Sequence, residues 1–163
     1  MLSGPLQGHT HSEGMQYKDL RRVASSPNNP LSKDPSLREI VRRRAGNACE
    51  YCRMPQQATP LIPFHVEHII SRQHGGTDDP SGLALACDRC NAYKGPNLTS
   101  IDPDTRTVAA LFNPRGDAWS DHFVVRGGHI LGLTPTGRAT VRLLNMNAPR
   151  RVELRAECLR DAE

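Results

Sequence analysis

Cys49 and Cys52 form one Cys-x-x-Cys pair and Cys87 and Cys90 a second; between the pairs lie His65, Glu67 and His68, and Asn91 and Lys94 follow directly. Two such pairs suit one tetrahedral zinc ion held by four thiolates in two clamps, and a two-residue gap fits chelation far better than a disulfide. The alternative, a pair of redox-active dithiols, requires a thioredoxin-like βαβ context that the chain lacks. A carboxylate, an imidazole and an amide make a different set. Their hard oxygens can hold Mg2+ or Mn2+, and the imidazole can draw a proton from water, so together they supply the parts of a hydrolytic site.

The elements that must position these groups are readable from pattern. Leu37, Ile40, Val41 and Ala45 recur at helical spacing between a start at Asp34-Pro35 and a left-handed stop at Gly46, so a helix delivers Cys49. Its other face carries Arg38, Arg42, Arg43 and Arg44, either a solvated face or a stripe that tracks phosphates. Residues 64–70 are rich in β-branched and aromatic types and read as a strand, residues 71–82 are turn chemistry, and residues 83–86 read as a second strand leading into Cys87. A helix follows from about Cys90. Along a regular strand His65 and Glu67 point to one face and His68 to the other, so Glu67 and His68 share a substrate only where the strand ends or bulges. Asn91 and Lys94, three apart on the helix, share a face.

This order of residues resembles the HNH endonuclease family in its zinc-ribbon form: Cys49-Glu-Tyr-Cys52, His65-Val-Glu-His-Ile-Ile, Gly75-Gly76, Leu83-Ala-Leu-Ala-Cys87-Asp-Arg-Cys90-Asn91 and Lys94-Gly95. The resemblance implies an α+β fold with a ββα-metal core stapled by a four-cysteine zinc site, and a metal-dependent endonuclease that hydrolyses phosphodiester bonds in DNA. In it His68 is the general base, and Glu67 with Asn91 holds one Mg2+ or Mn2+ ion. Where the family has a central asparagine, ahead of the leucine of the second strand, this chain has Gly82, which is expected to loosen the placement of His68. The rival reading is therefore a catalytically weak or inactive zinc-ribbon module that binds nucleic acid. Lys94 and Arg72 are the candidates for phosphate contact. His65 is either an additional ligand or phosphate contact beside Glu67, or a structural histidine hydrogen-bonded within the sheet. A lone site of this kind engages one strand at a time, so the expected actor on DNA is a nicking monomer or a transient homodimer that cuts both strands.

Composition is consistent with this but does not carry it. The net charge is +4 and the basic residues are almost all arginine, which grips phosphate in a bidentate fashion. With 4% aromatic and 37% hydrophobic residues, a metal-stapled core is more plausible than a large apolar one. No apolar run approaches a membrane span and the N-terminus lacks the apolar stretch of a signal peptide, so a soluble, cytoplasmic and reduced protein is expected, with no membrane partner. Three regions follow: a flexible leader over 1–35, in which His9 and His11 are too loosely placed to be ligands, the nuclease core over 36–100, and an extension over 101–163 packing on it. The extension reads as a short strand at 107–112, a hairpin around Gly127-Gly128, a helix from Thr134-Pro135 and a last helix over 149–160 that carries the fifth cysteine, Cys158, as plain core. Trp119, His122 and Phe123 read as a satellite core and not as a base-stacking surface.

Overall fold

The computed structural model of the chain describes residues 35–160; the leader with His9 and His11 lies outside them, apart from its last residue. Pro35 opens helix α1 (Pro35–Arg44), and Gly46 and Asn47, with φ of 58° and 55°, end it in the left-handed region. Val41 is fully buried, whereas Ile40, expected on the apolar face, is 42% exposed. The arginines are struts. Arg38 and Arg42 donate to the Phe64 carbonyl, and Arg44 donates to those of Pro80 and Leu83. Of the expected arginine stripe only Arg43 lacks such a tie among the described residues.

Strand β1 (His65–His68) pairs antiparallel with β2 (Leu83–Ala86), His65 opposite Ala86 and His68 opposite Leu83. β1 is shorter than the predicted 64–70 because Ile69 makes the last rung, its N–H donating to Gly82, and the turn residues take over from Ser71. All four residues of β2 are buried, which explains its unbroken apolar Leu-Ala-Leu-Ala. Helix α2 (Asp88–Lys94) starts two residues before the predicted Cys90, because the Cys87 sulfur caps it by accepting from the Cys90 N–H.

Beyond α2 come β3 (Thr99–Ile101) paired antiparallel with β4 (Val108–Ala110), a single turn α3 (Trp119–His122), the hairpin β5 (Phe123–Arg126) and β6 (His129–Gly132), helix α4 (Pro135–Leu143) and helix α5 (Pro149–Arg160). Gly127 and Gly128 turn the hairpin at φ of 54° and 82°, a step that residues with a side chain rarely take. β3, read as loop from its sequence, is set by a distant contact: the Asp102 carboxylate just after it accepts from Arg138 of α4 at 2.8 and 2.7 Å. One buried cluster joins Val41, Phe64, β2 and the cysteines to Phe112, Phe123, Ile130, Leu144 and Met146. Trp119 stacks at 5.0 Å on Phe123 and donates its indole N–H to the Tyr51 carbonyl at 2.8 Å, so this aromatic group is core and not an open stacking surface. Among the described residues no helix is long and apolar enough to cross a membrane.

Candidate metal centre and hydrolytic site

Arg53, at φ of 59°, turns the chain back just after Cys52; its N–H donates to the Cys49 carbonyl and the Cys49 N–H to that of Met54. Glu50 fastens this knuckle to β2. Its N–H donates to Leu85 and its carboxylate accepts from the Leu85 N–H at 2.8 Å, while Arg44 and Arg115 balance its charge. The sulfurs of Cys49, Cys52, Cys87 and Cys90 thereby lie within 4.8 Å of one another, all buried and none in a disulfide. The Cys52–Cys87 separation is 3.8 Å. A tetrahedron with zinc–sulfur bonds of about 2.3 Å has an edge of about 3.8 Å, so the four donors fit zinc in number, type and spacing. Cys158 is half-buried on α5 and is not part of the cluster.

Two arginines of α5 reach this centre. The Arg151 guanidinium is 2.9 Å from the Cys90 sulfur and 3.8 Å from that of Cys87, and also donates to the carbonyls of Leu144 and Asn145. Burial opposes its charge, yet the neighbouring sulfurs hold its pKa above the ordinary value. Arg155, one turn on, donates to the Gly128 and Met146 carbonyls; burial lowers its pKa, and the nearby Cys52 sulfur opposes that fall.

At the other end of the hairpin β1 stops at His68, so the strand-end geometry required above is met without a bulge. Glu67 is 7% exposed and doubly held. One carboxylate oxygen accepts from the Tyr51 hydroxyl, and the other pairs at 2.9 Å with Lys94 Nζ, which also donates to the His68 carbonyl at 3.0 Å. Burial raises the Glu67 carboxyl above the usual range, and Lys94 with Tyr51 opposes that rise. Burial, with the Glu67 charge beside it, pushes the Tyr51 hydroxyl well up, which keeps it a donor. The His68 ring, 12% exposed, places Nε2 3.0 Å from Asp78 in the loop after β1, and Arg72 closes on the same carboxylate. In the neutral imidazole, a proton on Nε2 facing Asp78 leaves Nδ1 as the acceptor.

Residues 49–97 match the HNH endonuclease family. No curated protein and no solved structure matches the chain. The HNH match spans both cysteine pairs, the β1–β2 hairpin and α2, and it points to a nuclease or nucleic-acid-binding function.

Within the HNH segment Glu67 and Lys94 meet directly, and His68 joins them through its carbonyl. Lys94 is 2% exposed, so the phosphate contact expected of it is closed while the ammonium is buried against Glu67. Arg72 is half-exposed and shares its guanidinium with Asp78. His65 lies at the surface, 3.7 Å from Asp88 at the start of α2, rather than inside the sheet. The Asn91 amide makes no side-chain hydrogen bond among the described residues and is partly exposed. Sequence reasoning missed Tyr51, Asp78, Arg151 and Arg155. A buried tyrosine inside a Cys-x-x-Cys carries a faint signal, because a knuckle side chain seldom needs an aromatic hydroxyl. The others carry none.

Proposed function

We propose that the chain is a metal-dependent endonuclease that hydrolyses phosphodiester bonds in DNA through a ββα-metal core, with structural zinc on Cys49, Cys52, Cys87 and Cys90. His68 is the general base, and Glu67 with Asn91 holds one divalent ion. The observation that supports this reading is the His68–Asp78 contact at 3.0 Å, in which a proton on Nε2 would face Asp78 and leave Nδ1 as the base. Nδ1 then takes the proton of the attacking water, while Asp78 holds the ring and offsets the imidazolium charge that develops. Tyr51 and Lys94 keep Glu67 ionised and aimed, and use two of the roughly four positions at which a carboxylate can accept, so the remaining two stay open to a cation. The unengaged Asn91 amide oxygen is the natural second ligand. When bound, a hard ion such as Mg2+ or Mn2+ stabilises the charge gathering on the phosphoryl oxygens and on the departing 3′ oxygen. The guanidinium N–H groups of Arg72 that face away from Asp78 remain for phosphate.

A second reading is favoured by one observation: Lys94 already neutralises Glu67, as an unmetallated binding module would need. Supercoiled plasmid separates the two. The full chain with Mn2+ or Mg2+ is expected to nick it, and His68→Ala to lose about 10²–10⁴-fold in rate. Binding without nicking in every metal tried would establish the binding module instead.

A further inference from the structure

Helix α5 turns charge as well as leucine inward, with Leu154 packed against the core. Two of its four arginines are buried, Arg151 at 7% and Arg155 at 3% exposure, while Leu159 is 47% exposed. Burying two guanidiniums is costly without a compensating negative charge. The carbonyls of Leu144, Asn145, Gly128 and Met146 accept from these guanidiniums but bring no net charge, and Arg155 Nε is buried without a hydrogen-bond partner among the described residues. Among the described residues the acidic group that Arg151 touches is the cysteine cluster, directly through Cys90.

We infer that Arg151 and Arg155 are the charge-balancing outer layer of the zinc centre, so that the metal is held by the HNH segment and α5 together. The inference rests on the zinc part of the proposed function and is independent of the nuclease part. Four thiolates on one Zn2+ carry a net charge of −2, and two largely buried guanidiniums supply +2. The two arginines stand on one face, one turn apart, as a helix must present them to reach a single centre. Arg151 also ties the cluster to the end of α4 through Leu144 and Asn145, so loss of the metal would release the α4–α5 corner. The family match ends at residue 97, 54 residues before Arg151, and the HNH segment alone therefore lacks this layer.

The test is zinc release from the zinc-loaded full chain to a competing chelator dye. Arg151→Gln keeps hydrogen-bond donors but removes the charge, and is expected to release zinc about 10- to 100-fold faster than the unmodified chain. Arg151→Lys, which keeps the charge and gives up the fork, should fall between them. Arg150→Gln, a change at an exposed neighbour paired to Glu153, should match the unmodified chain. Arg155→Gln repeats the test and decides it alone if Arg151→Gln does not fold. Unchanged release in both glutamine variants, or a lysine variant as fast as the glutamine one, overturns the inference. An unmodified chain that takes up no zinc removes the zinc reading and this inference with it, while a chain that holds zinc but never nicks DNA leaves the inference standing.

Discussion

At one end of the β1–β2 hairpin four sulfurs crowd together against Arg151; at the other a single carboxylate, Glu67, is matched by Lys94. Both ends bury a cation against an anion, yet they differ in balance. The sulfurs, as thiolates, carry more charge than nearby guanidiniums can neutralise, so that end is complete only with a divalent metal. Glu67 and Lys94 are complete as they stand. On the proposed reading zinc is a part of the fold, and the second ion a visitor that must be accommodated beside an ammonium already in place.

The largest effect should come from the sulfur end. Structural zinc sites contribute roughly 10–16 kcal/mol of apparent binding free energy, more than a small domain's net stability. Stripping zinc with a strong chelator, or replacing Cys90 by Ser, is expected to abolish cooperative unfolding of the chain as followed by circular dichroism. A chelated protein with an unaltered melting curve would mean that the apolar core suffices alone and that the contrast between the two ends is false.

Breaking the carboxylate end should cost less. Lys94→Met leaves Glu67 buried with only Tyr51 as a partner, and removal of one member of a buried pair costs about 3–5 kcal/mol, measurable by urea unfolding. Adding Glu67→Gln should recover part of that loss. Mn2+ is expected to raise the melting temperature of Lys94→Met more than that of the unmodified chain, because the ion takes over the role of the ammonium. A cost below about 1 kcal/mol would class the pair with screened surface ion pairs.

Asp78 offers a sharper cut through the same end. Its side chain is 41% exposed, so Asp78→Ala should leave the melting curve nearly unchanged. The loss of ring orientation at His68 should slow nicking by about 10- to 100-fold, the scale of a misplaced catalytic group. Nicking at the full rate would show that something other than this carboxylate aims the imidazole.

The clamps, the hairpin, the Gly127-Gly128 turn and the helices at 135–143 and 149–160 were legible because each follows from local residue type and period. The cysteine spacing alone foretold the cluster. What escaped are contacts that join segments far apart. Arg151 lies 61 residues from Cys90, and a helical pattern cannot say that Arg151 and Arg155 turn inward while Leu159 stays exposed. Asp102 and Arg138 likewise set β3 through a pairing that neither segment encodes. Lys94 reads as a surface charge because lysine seldom goes inside, and only the adjacency of Glu67 on β1 to the end of α2 reverses that. Asp78 hides in a stretch whose aspartates are all plausible turn formers, and one of them, Asp79, does serve as a cap to Ser81.

The smallest effect concerns Gly82, from which a loose His68 was expected. The loop is already tied by Asp78 to His68 and Arg72, by the Gly76 N–H to the Ser71 carbonyl, and by the Ile69 N–H to Gly82 itself. A side chain at Gly76 would clash, since a Cβ there lies 1.7 Å from the Ile70 carbonyl oxygen; at Gly82 the nearest atom is the Thr77 carbonyl oxygen at 3.5 Å, an ordinary contact. Gly82→Asn should therefore fit and stabilise the chain by roughly 0.4–1 kcal/mol, chiefly by restricting the unfolded chain. Its nicking rate should change less than that of Asp78→Ala, because the ring is held through the loop's aspartate and not through residue 82. A rate gain exceeding about tenfold, a barrier change of about 1.4 kcal/mol, would show that the hydrolytic end is under-braced as built, and that its contrast with the tightly fastened sulfur end extends to rigidity as well as charge.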